Sequence, residues 1–217
     1  MAAAITTTTT EEMLKTGNMI RTFSGKMINP LNPDSSQINL KDIAHALSNI
    51  CRFTGHVRRF YSVAQHCVLV SSNCYLDNAL AGLLHDASEA YLCDIASPVK
   101  HQPEFTSYRI AETRLQNMIY KKYLNFEGSV FIEPVEVKQM DWGVFLVERQ
   151  HLFNVEPMEI PAKLEYTNKI FVALTPKEAE KAFINEFKSI LRRLAMKYPE
   201  YVFSLSAEDL SFLSQFV

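Results

Sequence analysis

The sequence predicts a single all-α domain, and three observations carry that expectation. Apolar residues recur at helical spacing in most of the longer segments. Helix-start signals stand at the head of several of them. There are no internal repeats and no linker between long ordered segments, and 217 residues suffice for one substantial core.

The opening MAAAITTTTTEE has no basic stretch, and its apolar part is far shorter than a secretory signal needs, so residues 1–17 are read as a flexible tail and 18–217 as the domain. NLKDIAHALSNICRF places Ile43, Ala46, Leu47 and Ile50 on one helical face, with Asn39 as N-cap. In YSVAQHCVLVSSNCYL, Ser62 and Gln65 stand three apart, a capping-box pattern that starts a helix near Val63. ALAGLLHDASEAYL continues as a second apolar helix. After a loop bracketed by Pro98 and Pro103, EFTSYRIAETRLQNMIYKKYL reads as a long amphipathic helix, and PVEVKQMDWGVFLVERQHLF as another begun by Pro134. Between Pro157 and Leu174 the pattern is weak and leaves room for a short strand around Lys169 to Ala173. Thr175, Pro176 and Glu178 combine an N-cap, an N1 proline and an N3 glutamate, and open a helix running to about Lys197. The stripe Phe183, Phe187, Leu191 and Leu194 on that helix reads as core.

Hydrophobic content of 47% with 21% charge is ordinary for a soluble protein. The longest apolar runs, such as GVFLV, fall well short of the roughly 20 residues of a membrane span. A formal net charge of -2 supplies no general field for a nucleic-acid polymer or an anionic membrane, so phosphate binding has to be local. Cys51, Cys67, Cys74 and Cys93 form no CxxC pair, which suits reduced thiols in a cytoplasmic protein.

Against this background GLLHDASEAYLCDIASPVK is anomalous, because an apolar helix and its exit carry His85, Asp86, Glu89 and Asp94. At 100° per residue, His85, Asp86 and Glu89 share one helix face. His66, in VAQHCVLV, and Asp141, in VKQMDWGVFLV, stand in similarly apolar surroundings. Taken singly each has an ordinary reading, such as a hydrogen-bonded core histidine or a carboxylate pairing with Arg149. Burying so many such groups separately would cost several kcal/mol each or force pKa shifts. Convergence on one divalent ion is the simpler account, and imidazole plus carboxylate suits Co, Mn, Zn or Fe better than Ca.

These segments resemble the HD-domain phosphohydrolases, and more narrowly the bacterial 5′-deoxynucleotidases with their phage relatives, which include dATP triphosphohydrolases. The H…HD…D signature of that family is matched by His66, His85, Asp86 and Asp141, and HDASE, SPVK and VKQxD match in type and order over roughly residues 40–152. The resemblance implies a helical bundle around a divalent metal held by those four residues. It implies proton-transfer roles for Glu89 and Asp94, and phosphate contacts from Lys100 and Lys138. Arg52 and Phe53 align with a substrate-recognition pair that is Arg-Trp in the founding deoxynucleotidases, so Phe53 departs from the pattern and loosens the expected selection of deoxyribose. Arg58 and Arg59 belong to a basic loop read either as approaching the nucleotide or as a solvated turn. The implied activity is cleavage of the 5′ phosphate ester of a small-molecule (deoxy)nucleotide, giving nucleoside plus phosphate or plus triphosphate. The alternatives are a non-catalytic nucleotide sensor and a signalling-nucleotide hydrolase. A homo-oligomer in the cytoplasm of a bacterial or phage-infected cell completes what the resemblance implies.

Overall fold

Asn39 breaks the extended chain and starts the first long helix, α1 (Leu40–Asn49), its side chain accepting the Asp42 N–H at 2.8 Å. That is the cap the sequence predicts. The computed structural model describes residues 17–124, 128, 130–156, 158–169, 171–200 and 205–216. The tail assigned to residues 1–17 lies outside these, apart from Gly17, an exposed turn residue. The described chain is mostly helical, with one addition to the all-α expectation: an antiparallel hairpin of β1 (Ile20–Arg21) and β2 (Met27–Ile28). Its turn is tied to α1, because the Ser24 N–H and hydroxyl both donate to the Asp42 carboxylate, at 2.6 and 2.8 Å.

Ser62 caps α2 (Val63–Asn73) by accepting the Gln65 N–H at 3.2 Å. The reciprocal half of the expected capping box is absent. The Gln65 amide instead donates to the Val172 carbonyl at 2.5 Å and accepts the Leu174 N–H at 2.8 Å. It thereby fixes in irregular form a segment where a strand had room to form. Lys169 ends a short helix, α8 (Glu165–Lys169), and residues 171–174 form no strand.

Next come α3 (Leu76–Leu84), the short α4 (Glu89–Leu92) and α5 (Ser97–Lys100), then the long α6 (Thr106–Tyr123) and α7 (Val135–Leu152). α9 (Pro176–Lys197) carries the predicted capping box in full, with the Thr175 and Glu178 side chains each bonded to the other's backbone N–H. α10 (Ala207–Ser214) closes the order.

α9 packs across α1, α2 and α3. Its Phe183 and Phe187 are fully buried with Ile43, Leu47, Ala64 and Leu83, while Leu191 and Leu194 pack at the edge of the same cluster. Each large side chain so buried contributes about 1.5–3 kcal/mol. α7 builds a second cluster with α2 and α3 through Val70, Ala81, Val137, Val144 and Val147. Where α2 and α3 touch, a Cβ on Gly82 would lie 3.2 Å from Cys74 Sγ and 3.3 Å from Ser71 Cα. A side chain there would force these two segments apart by a few tenths of an ångström. Among the described residues no helix is long and apolar enough to cross a membrane.

Candidate metal centre

Three packed helices bring four side chains to one point. His66 comes from the middle of α2, Asp141 from the second turn of α7, and His85 and Asp86 from the two residues directly after α3. His66 Nε2 lies 3.0 Å from Asp141 Oδ1, 3.2 Å from His85 Nε2 and 3.7 Å from Asp86 Oδ2. His85 Nε2 lies 3.2 Å from Asp86 Oδ2 and 3.8 Å from Asp141 Oδ1. Bonds of about 2.1 Å to a common ion would give ligand–ligand edges of about 3.0 Å in octahedral and 3.4 Å in tetrahedral geometry. The observed separations span both.

The hydrogen bonds on the far side of each ring strengthen the fit. His66 Nδ1 lies 2.6 Å from Glu148 Oε1, and His85 Nδ1 lies 2.8 Å from the Gly82 carbonyl. Both acceptors require Nδ1–H, so in the neutral rings the two Nε2 atoms present lone pairs to one another and to two carboxylates. Four acceptors facing one point suit a cation, in the arrangement in which an outer acceptor fixes the tautomer of a ligating histidine. Two nitrogens and two oxygens suit Mn, Fe, Co or Zn. The Cys67 thiol also adjoins His85 and Asp86, but burial pushes it up to about 11, which disfavours the thiolate.

The electrostatics follow the same geometry. Burial by itself would depress the His85 imidazole, and Asp86 more than reverses that and raises it well above its ordinary value. Burial would raise Asp86, and His85, His66 and Arg52 instead hold it far below the usual carboxylate range. For Asp141 burial is likewise overcome, by His66 and His85.

His85, Asp86 and Glu89 do not occupy one continuous helix as their spacing predicts. α3 ends at Leu84, and the chain tightens into turns closed three residues apart, Ala87 N–H to Leu84 carbonyl and Glu89 N–H to Asp86 carbonyl, both 3.0 Å. Three residues per turn set Glu89 directly over Asp86. The Gln116 side chain braces this turn, donating to the Leu84 carbonyl at 2.6 Å and accepting the Ser88 N–H at 2.9 Å.

Glu148 is the residue that the sequence reading missed. Fully buried in α7, it holds His66 with one oxygen, while the other lies 3.3 Å from Arg52 Nε. Its signal was available, since Glu148 stands seven residues after Asp141 and so on the same helix face, inside an apolar run. Arg52 Nη1 also reaches Asp86 Oδ2 at 3.5 Å. Burial would lower the guanidinium, but Glu148 and Asp86 reverse this and keep it charged. Arg52 is thus engaged with the carboxylates behind the cluster.

Two clefts meet at Asp86, Lys100 and Asp141. One, of about 610 Å³, is lined by Arg52, Phe53, Glu89, Asp94, Trp142 and Phe145. The other, of about 560 Å³, is lined by His85, Glu112, Gln116, Asn117 and Lys138. Glu89 is buried, one carboxyl oxygen has no hydrogen-bond partner, and burial with the charges of Asp86 and Asp94 raises it well above its ordinary value. Asp94 is raised by burial and by Asp86, against the pull of Arg52 and Lys100. Lys100 Nζ sits 2.8 Å from Glu112 and 3.8 Å from Glu89, so it bridges two carboxylates, while Lys138 is exposed on the rim of the second cleft. Arg58, in the basic loop, donates to the Phe153 carbonyl at 2.7 Å and so closes the C-terminal end of α7.

Fold and site together define a mostly helical protein with side-chain groups able to hold a metal ion, His66 with His85 and Asp141, and Cys67 with His85 and Asp86. No family model matches the chain. It is 41% identical over 137 residues to the uncharacterized protein YfdR of Escherichia coli (strain K12), across 62% of this chain and 72% of that protein. It is 38% identical over 89 residues to the uncharacterized protein RCAP_rcc00048 of Rhodobacter capsulatus, across 37% of this chain and 45% of that protein. The chain belongs to the family of YfdR.

Proposed function

We propose that the chain is an HD-domain phosphohydrolase that cleaves the 5′ phosphate ester of (2′-deoxy)nucleotides. The supporting observation is that His66 Nε2 and His85 Nε2 lie within 3.0–3.8 Å of each other and of an oxygen each of Asp86 and Asp141, beside a buried carboxyl that has a free oxygen. His66, His85, Asp86 and Asp141 would hold a divalent ion, which would supply Lewis-acid polarisation of a phosphoryl oxygen and a more acidic water.

The chain's own groups supply the rest. Glu89, with its unpartnered oxygen and raised carboxyl, takes the proton of a water entering the first cleft. Asp94, which lines the same cleft, is the group assigned to give a proton to the leaving 5′ oxygen. His85, with His66 and Arg52, keeps Asp86 ionised, and Glu148 keeps His66 in the tautomer that offers Nε2 inward. Lys100 stays cationic because Glu112 and Glu89 outweigh its burial, and so it balances an anionic phosphate. The second cleft, with Lys138 on its rim, gives a longer phosphate chain somewhere to run.

Chromatographic product analysis tests the reading. Purified protein is incubated with dAMP, AMP, dATP or ATP, with and without Co²⁺, Mn²⁺ or Zn²⁺. Metal-dependent release of orthophosphate from dAMP supports a nucleotidase, and intact triphosphate from dATP supports a triphosphohydrolase. Protein with bound metal that turns over none of the four refutes the proposal.

A further inference from the structure

We propose that Trp142, backed by Phe145 and Phe53, is the surface on which the planar base of the ligand stacks. The reaction around it rests on the phosphohydrolase reading, but the stacking surface stands on its own geometry. Trp142 follows Asp141 in α7, is 60% exposed, and lines the first cleft. Its indole stacks on Phe145 with ring centres 5.1 Å apart and planes 28° apart. Phe145 in turn meets Phe53 at 6.0 Å, and Phe53 stands edge-on to Phe153 at 5.0 Å. The result is an aromatic wall whose outermost ring is left bare beside the candidate metal ligand Asp141.

The wall is held in place at some conformational expense. Phe53 and Thr54 both adopt positive φ, 56° and 55°, followed by Gly55 at 78°. For a bulky residue this is strained by roughly 1–3 kcal/mol and persists only where packing over-determines it. Arg58 supplies part of that constraint by bonding this loop to the end of α7. Strain that aims Phe53 at Phe145, the ring on which an exposed tryptophan stacks, suits a ligand-binding surface better than a solvated turn.

The aromatic side of the first cleft selects the ligand. The second cleft carries Lys138, Glu112, Gln116 and Asn117, which suit charged and hydrogen-bonding groups. The first carries the ionisable Glu89, Asp94 and Lys100 and, apart from them, indole and phenyl faces at Trp142, Phe145 and Phe53, which suit the uncharged, flat portion of a nucleotide, its base. Every base has a π face, so such a wall is tolerant of base identity.

Trp142 is the chain's one tryptophan, so its emission reports this cleft alone. The full-length protein is titrated with each of the four deoxynucleosides and, separately, with 2-deoxyribose 5-phosphate, and affinities are measured by calorimetry. The expected result is saturable quenching by deoxynucleosides and none by the sugar phosphate. Trp142→Leu should weaken deoxyadenosine binding roughly tenfold, and Trp142→Phe by no more than about threefold. Both substitutions are at an exposed position, and unchanged metal affinity shows that the variants are folded. Unaltered deoxyadenosine affinity in Trp142→Leu overturns the inference, as does equal quenching by the sugar phosphate. Emission that shifts with protein concentration but not with deoxynucleoside also overturns it, and assigns the wall to self-association. If no phosphate ester is cleaved yet deoxynucleosides bind in a Trp142-dependent way, the reaction falls and the stacking surface stands. If nucleotides and sugar phosphates are cleaved alike and Trp142→Leu leaves KM unchanged, the surface falls and the reaction stands.

Discussion

His66 and His85 turn their Nε2 atoms toward each other across 3.2 Å, and each gives its Nδ1–H away, one to Glu148 and the other to Gly82. Two facing lone pairs repel unless a proton or a metal ion lies between or beside them. Divalent metal should therefore stabilise the native state, since a ligand at 100 times its Kd adds about 2.7 kcal/mol. For a chain of this length that is a rise of about 5–10 °C in Tm. Thermal unfolding with Zn²⁺, Mn²⁺ or a chelator measures it. Asp141→Ala, which removes one of the four ligand atoms, should abolish the rise, and an equal Tm under all conditions would show that the cluster binds no cation.

Glu148 joins His66 to Arg52, with both the carboxylate and the imidazole fully buried. Glu148→Ala strands a buried guanidinium and an Nδ1–H together, and should cost about 3–5 kcal/mol. Glu148→Gln keeps an acceptor for Nδ1–H and removes the charge, so it should leave more stability and weaken metal binding by about 10–100-fold. Urea unfolding and metal-binding calorimetry separate the two effects. A Gln variant with wild-type metal affinity would show that Glu148 serves only the fold.

What the sequence made legible is what local chemistry decides. Asn39, Ser62 and Thr175 start their helices because each carries a side chain that accepts an N–H three residues on. His66, His85, Asp86 and Asp141 betrayed themselves as titratable groups in apolar runs, and the structure brings all four together. Glu148 carried the same signal and was overlooked because it stands two turns from the motif. The break after Leu84 was illegible, since the tight turn at 85–88 is held by Gln116, about thirty residues downstream. The fate of Gln65 was illegible for a similar reason: its partners, Val172 and Leu174, lie on another segment. The engagement of Arg52 with Glu148 and Asp86, of Lys100 with Glu112, and of Phe53 with Phe145 does not follow from spacing along the chain, because each contact joins separate segments.

Glu89 should make stability depend on pH in the metal-free protein. Burial first, then the charges of Asp86 and Asp94, raise its carboxyl well above the ordinary 4.5. The folded state therefore binds the proton more tightly than the unfolded chain does. The contribution of Glu89 is fully present below about 4.5 and is lost as pH rises through the folded value. Glu89→Gln should thus raise stability at pH 7.5, on the order of 1 kcal/mol, with the gain disappearing toward pH 4. The same variant should keep its metal and lose about 10²–10⁴ in kcat. Paired thermal scans at the two pH values, with a turnover assay, check both; turnover at the wild-type rate would remove Glu89 from the mechanism.

Asp209 tests whether the C-terminal helix serves the fold alone. Its carboxylate is fully buried and accepts the Leu40 N–H at 2.8 Å, at the first turn of α1, and the Ser206 hydroxyl at 2.6 Å. The Tyr123 hydroxyl lies 3.3 Å from both oxygens, which links α6 to the same clamp. Asp209→Ala leaves these donors buried without an acceptor, and should cost about 2–3 kcal/mol. Asp209→Asn keeps one accepting oxygen and should cost less. None of the clamp's residues belongs to the metal cluster or to the two clefts beside it, so metal affinity in the folded variants should match wild type. Denaturant unfolding beside metal calorimetry measures the two quantities independently. A fall in metal affinity that outlasts refolding would mean that α10 steers α1, and through it the neighbouring histidine helix, and so shapes the site itself.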